Sequence, residues 1–405
     1  MRHTTISLSL LLALSASAPV FAQAQTVRSP AFNSSLAVTA SQFDRFTPNP
    51  IRSVRLDFTI WDEMLKEMVY YTGPSLRQRA SKPEPIVGSR RVFGHTSPYR
   101  LEGNKVVFEK MGPEFRQIID DYVTDLESIG NSVGISMLPR SEQLAYWLNL
   151  HNALVIQAIA SHYPIKDPSR ETDPDGRSFH DIGRVTIDGV SLSLRNIRED
   201  IVYKNWNDPL VIYGFFHGDI GSPSLQRKAY TASNMQDTLR FSAEEFANSL
   251  RGVMVYGKTA HISRHYQDAA PYFFSNFDRD VRSHMIGLSN EDVKEQLLKA
   301  TQPFKIASYE TSVADLTNGD SDRIQLSEVN NYSETGTSGP PQVLARALSE
   351  QSEKFRRIRK RGLFGSVTIE DVQTVDDADF GKPSGPSFIQ IGPLADQIPA
   401  PETGK

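Results

Sequence analysis

The chain has 405 residues, a formal net charge of −4 and no cysteine. That composition excludes disulfides, thiol nucleophiles and thiolate metal sites, and its slightly acidic balance argues against nucleic acid as a partner. Aromatic residues at 9% and hydrophobic residues at 39% predict a folded core rather than disorder.

Residues 1–24 read as a secretory signal peptide. Arg2 and His3 precede the apolar run SLSLLLALSA, and the small residues Val20, Ala22 and Ala24 offer cleavage positions. No later apolar run is long enough for a membrane span, so the expectation is a periplasmic or secreted protein. Residues 25–53 are polar and predict a flexible lead. A globular domain is expected over 54–310.

Within it, Leu56, Ile60, Met64 and Met68 fall four apart before Gly73-Pro74, which predicts an amphipathic helix. The stretch YRLEGNKVVF (99–108) predicts a hairpin turning at Gly103-Asn104. A second helix is predicted over Met111–Ile129, with Phe115, Ile118, Ile119, Tyr122 and Leu126 on one face.

The segment SEQLAYWLNLHNALVIQAIASHYP (141–164) predicts a long helix, capped by Ser141 and stopped by Pro164. It is apolar almost all round, as expected of a helix surrounded by protein. Asn149, His151 and Asn152 would then be buried and need partners.

Farther on, residues 184–203 predict a strand, a turn at Asp188-Gly189 and a helix from about Ser193. LVIYGFF (210–216) predicts a strand running into HGDIGSPSL (217–225), a glycine turn opening a helix at Ser222-Pro223. Residues 231–250 predict one or two helices, and Glu291–Ala300 predicts another. The fold class expected is α+β, a helix-rich single globular domain with a small mixed sheet.

Residues 311–345 read as a polar loop region. Within it TNGDSDRIQLSE (317–328) is a poor match to a calcium loop, lacking the central glycine and the terminal glutamate register. A basic helix is predicted over 346–364, its KFRRIRKR (354–361) reading as a solvated face balanced by the acids of EDVQTVDDAD (370–379). Residues 365–405 predict a flexible tail.

Three segments carry a resemblance. YWLNLHNAL (146–154) has a Trp-x-Asn-x-x-Asn pattern at Trp147, Asn149 and Asn152. GVSLSLRNIREDIV (189–202) and DPLVIYGFFHGDIGSPSLQRKAYTASN (208–234) follow it. Together, over about Glu142 to Phe274, they resemble the uncharacterised family catalogued as domain of unknown function 547. The resemblance implies an identity without a mechanism. Many members carry Ser-Cys-Pro where Gly221-Ser222-Pro223 stands here, and a histidine where Glu199 stands, so a thiol–imidazole chemistry is not inherited.

Two function classes follow. The favoured one is a non-catalytic binding or envelope-associated module, whose pocket holds a small polar or anionic ligand. Its lining is expected from Trp147, Asn149, His151, Asn152, Arg198, Gly218, Asp219 and Gly221. The alternative is a hydrolase or acyl-transfer enzyme with Ser222 as nucleophile and His217 as base, His151 being a second candidate base and Asp219 or Glu199 the orienting group. Positions 220–224 read IGSPS rather than Gly-x-Ser-x-Gly. Ser-Pro is also what a plain helix cap looks like. His261 and His265 are spaced to share a helical face, but the glutamate of a zinc-protease helix is missing and no third ligand is evident. No metal and no cofactor is expected.

Overall fold

The computed structural model describes residues 41–85, 92, 94–320 and 342–362. The expected signal peptide, most of the lead, and the tail lie outside the described residues. Phe43 onward forms one unit of helices with small sheets, an α+β architecture in which helix dominates.

Helix α1 (Thr59–Met68) buries Trp61, Met64, Leu65 and Met68, and α2 (Pro113–Val133) buries Ile119, Tyr122, Val123 and Leu126. The two meet where Trp61 stacks on Tyr122, ring centroids 5.1 Å apart. Helix α3 (Arg140–His162) is the centre of the molecule, with every residue from Glu142 to Ile156 buried. Its start differs from the expectation. Arg140 opens the helix directly after Pro139, which leaves Ser141 inside the first turn. The Gln143 side chain donates to Ser136 O and Leu138 O.

Two strand predictions are corrected. The YRLE segment does not pair with KVVF. Instead β1 (Val69–Tyr70) pairs antiparallel with β2 (Lys105–Val106), while Thr72 Oγ1 and Lys105 Nζ both donate to Gly103 O. LVIYGFF is not a strand either. Asp208 accepts the Leu210 N–H, Pro209 occupies the first position, and Pro209–Gly214 wind into a 3-10 helix. Its uniform apolarity matches its place between helices. A Cβ on Gly214 would stand 2.7 Å from Leu148 Cδ2 of α3 and 2.9 Å from Leu239 Cδ2.

The hairpin of β3 (Gly183–Ile187) and β4 (Val190–Ser193) turns at Asp188-Gly189, both at positive φ, as a two-residue turn of that composition requires. A π-helix over Asn196–Val202 follows, then the single turn α4 (Tyr203–Asn205). Later come α5 (Met235–Ala247), the mixed sheet of β5 (Val253–Tyr256), β6 (Thr259–Ile262) and β7 (Lys305–Ile306), and helices α6 (Arg264–Phe273), α7 (Phe277–Leu288) and α8 (Glu291–Lys299). In the sheet β6 runs antiparallel to β5 and parallel to β7. His261 lies on β6 and His265 on α6, so they do not share a helical face.

Helix α9 (Gln342–Lys360) carries the basic run, and its face is not wholly solvated. Lys354 and Ile358 are buried, Lys354 Nζ donates to Leu101 O, and Arg100 grips Glu350 through Nε and Nη2 at 2.7 and 2.9 Å. Arg356 and Arg357 pair with Glu353. The acidic segment 370–379 lies outside the described residues. In the calcium-like stretch, Asp315 Oδ1 and Oδ2 accept N–H groups of Thr317 and Gly319, and Asp320 pairs with Lys166.

Candidate functional site

Helix α3 uses its asparagines as backbone clamps. Asn149 donates to Tyr230 O at 2.7 Å and accepts from Tyr230 N at 3.1 Å, the pairing a neighbouring strand would make. Asn152 donates to Gly214 O at 3.0 Å and accepts from Phe216 N at 3.0 Å. Both bond sets are buried, so each clamp fixes the path of one irregular segment beside α3. Trp147 is fully buried, edge-on to Phe46 and Tyr146.

The turn 217–222 is closed by its own side chains. Ser222 Oγ accepts the His217 N–H at 3.2 Å and donates to Asp219 O at 2.9 Å, and the Ser222 N–H reaches Asp219 Oδ1 at 2.9 Å. No helix begins at Ser222-Pro223; the chain stays irregular until α5. The expected helix cap is therefore corrected to a turn-closing serine. Its hydroxyl is fully buried and spends its proton on a carbonyl rather than on an imidazole.

Two further N–H groups of the turn are taken up by a later segment. Ile220 N donates to Ser312 O and Gly221 N to Glu310 O, while Ala314 N donates back to Gly218 O. The segment 309–315 thus lies along the turn like a strand. Gly221 is required for this approach, since a Cβ there would stand 2.7 Å from Glu310 O. Gly218 is required twice over, by its φ of +94° and by Ile159, whose Cδ1 would lie 2.6 Å from a Cβ at this position. From the same segment Tyr309 donates its hydroxyl to Asp219 Oδ1 at 3.0 Å. Burial raises the Asp219 carboxyl to about 7, against the lowering effect of those bonds.

Removal of the serine hydroxyl leaves the half-buried His217 N–H without its acceptor. Ser222→Ala is expected to cost about 1–3 kcal/mol in denaturant unfolding. An unchanged denaturation midpoint would show that the hydroxyl does not hold the turn.

The structure gathers a constellation around Arg198, which the π-helix projects inward. Arg198 Nη1 donates to His151 Nε2 at 3.1 Å and to His180 Nδ1 at 3.4 Å. The His217 ring lies 5.3 Å from His180, 5.4 Å from His265 and 6.4 Å from His151, centroid to centroid. Desolvation first, and then the Arg198 charge, hold His151, His180 and His217 well below the usual imidazole value, so all three are neutral. His265 is lowered to about 3, chiefly by burial, and its Nε2 meets Ile212 O at 3.0 Å.

With neutral rings the proton positions follow from the partners. His151 Nε2 and His180 Nδ1 face a donor, so they accept. His151 carries its hydrogen on Nδ1, toward Asn152 Oδ1 at 3.3 Å, and His180 carries its hydrogen on Nε2.

Arg198 itself is short of acceptors. It is 5% exposed, and its nearest carboxylate, Glu199 Oε1, stands 3.7 Å from Nη2, beyond hydrogen-bonding distance and shared with Arg195. The Nε/Nη2 edge therefore has no hydrogen-bond acceptor among the described residues. Arg184 adds a second cation whose charge bears on His151 and His180, and it forms no ion pair among the described residues. Phe215, edge-on to His151, and Tyr203, edge-on to Phe215, make the apolar wall. No three His, Asp or Glu side chains among the described residues converge to hold a metal ion.

Of the residues expected to line a pocket, His151, Asn152 and Arg198 fall in or beside this constellation, as does His217, the expected base of the alternative reading. Asn149, Gly218 and Gly221 serve chain packing. His180, Arg184 and Tyr309 join from segments whose sequence carries no pattern to mark them, and His265, noted in the sequence only for its spacing from His261, joins from α6. The π-helix is a further signal visible only in three dimensions, a local form found often at functional sites.

No curated protein and no solved structure matches the chain. One family model does, over residues 135–247, the stretch that brings His151, His180, Arg184, Arg198 and His217 together, and its description is protein of unknown function, DUF547.

Proposed function

We propose that the protein is an exported binding module that takes a small anion on the Nε/Nη2 edge of Arg198. The observation that carries this reading is a buried guanidinium whose outer fork has no acceptor at hydrogen-bonding distance among the described residues. That edge is the one with which arginine grips carboxylates and phosphates in a bidentate pair. The imidazoles beside it are neutral, so its charge is offset only by the 3.7 Å pair with Glu199, and Arg184 strengthens the local positive potential. Export is supported by the leader-like first 24 residues. The alternative, serine chemistry at Ser222, has less support because its hydroxyl is committed to Asp219 O.

Calorimetric titration of the full chain with sodium acetate, sodium sulfate and sodium phosphate tests the proposal. At least one anion is expected to bind saturably. Arg198→Lys, which keeps the charge and loses the fork, is expected to weaken it by about ten-fold or more. Equal binding by wild type and variant, or no binding to either, overturns the reading.

A further inference from the structure

Resting on that reading, we infer that the anion of the Arg198 site is a tetrahedral oxyanion of the phosphate class, free or as an ester, and that it enters with a proton taken up by His217.

The donors set the geometry of the guest. Nη1 of Arg198 is used up on His151 and His180, which leaves Nε and Nη2 as a planar pair. A carboxylate would satisfy that pair with one lone pair on each of its two oxygens, and the lone pairs left over lie in the same plane. The site has more to give. The His180 ring is fixed with its hydrogen on Nε2, and no acceptor for it exists among the described residues. Next to it, His217 Nε2 is buried with no hydrogen-bond partner among the described residues. Arg184 Nε is a second buried nitrogen with no hydrogen-bond partner among the described residues. A tetrahedral oxyanion has oxygens outside the guanidinium plane to offer to such nitrogens, and a planar anion does not.

The proton follows from charge. Facing His217 are Arg198 from the π-helix, His180 from the loop before β3, His265 from α6 and His151 from α3. None of these is an anion, so the protein's own groups favour a neutral His217. A dianion on the Arg198 edge reverses that balance. It favours an imidazolium at His217, and the orphan Nε2 then has a hydrogen and an acceptor. By linkage, an anion that raises the affinity of His217 for a proton must bind together with proton uptake, and more tightly as pH falls.

Sulfate is the deciding probe, because it is a tetrahedral dianion that does not itself titrate near neutrality. Calorimetry of the full chain at about pH 7.5, in two buffers of different ionisation enthalpy, reads the protons taken up per sulfate bound. The expected results are uptake approaching one proton, sulfate and phosphate binding about ten-fold or more above acetate, and loss of the uptake in His217→Gln while sulfate still binds. Acetate binding as tightly as sulfate, in an Arg198-dependent way, overturns this inference and leaves the anion-binding proposal standing. Sulfate binding without proton uptake also overturns it. Failure of every anion to bind overturns both. Methyl phosphate in place of phosphate separates the two sources, since equal affinity assigns an ester headgroup and exclusion assigns the free ion.

Discussion

Asp219→Asn is expected to stabilise the protein, and its advantage is expected to grow by about 2 kcal/mol between about pH 5.5 and pH 8.5. In the fold, the carboxyl titrates at about 7 rather than at its ordinary 3.8, because desolvation outweighs the bonds from Tyr309 and Ser222. The folded chain therefore holds this proton more tightly than the unfolded chain. The resulting stability is fully present below about 3.8 and is lost as pH rises toward about 7. Asparagine cannot ionise, yet its Oδ1 can still accept from Tyr309 Oη and Ser222 N, the two bonds that fall on Asp219 Oδ1. The buried histidines act in the opposite direction, His95 and His265 being lowered to about 3 so that stability falls below the usual imidazole range. They are common to both proteins and cancel in the comparison. Urea unfolding of the pair at several pH values checks the claim, and a pH-independent difference would refute it.

Asn149→Ala is expected to be the more damaging change, costing about 2–4 kcal/mol. It removes two buried bonds at once and leaves both the N–H and the C=O of Tyr230 unpaired in an apolar surrounding. Tyr230 is itself buried, so water cannot replace the amide. The variant's midpoint in urea is the measurement. A shift no larger than that of an exposed alanine substitution, such as Gln117→Ala, would show that the clamp carries no weight.

The two clamps also show how much of the fold is legible in the sequence. Helix α3 is legible because its apolar residues leave no solvent face, and that alone implies that Asn149, His151 and Asn152 are buried and bonded. The hairpin at Asp188-Gly189 is legible from its turn residues. LVIYGFF is not, because a uniformly apolar run has no period, and Asp208-Pro209 decides in favour of a tight helix. Ser222-Pro223 carries a genuine cap signature, but Asp219 and the segment 309–315 compete for the same groups and win. The Arg198 constellation is half legible. Its α3 and turn members stand out by local context, whereas His180, Arg184 and Tyr309 are placed by long-range packing.

The segment 309–315 has one more consequence. It completes the turn 218–221 from outside the residues that match the family model, through the bonds of Ile220, Gly221 and Ala314 and through Tyr309. The stretch that is recognised is thus smaller than the unit that folds. A fragment cut at residue 247 would expose the turn's amides and strand the Asp219 carboxyl without its phenol. In such a chain the recognisable part is the casting, and the later, patternless sequence is the mould that keeps it in shape.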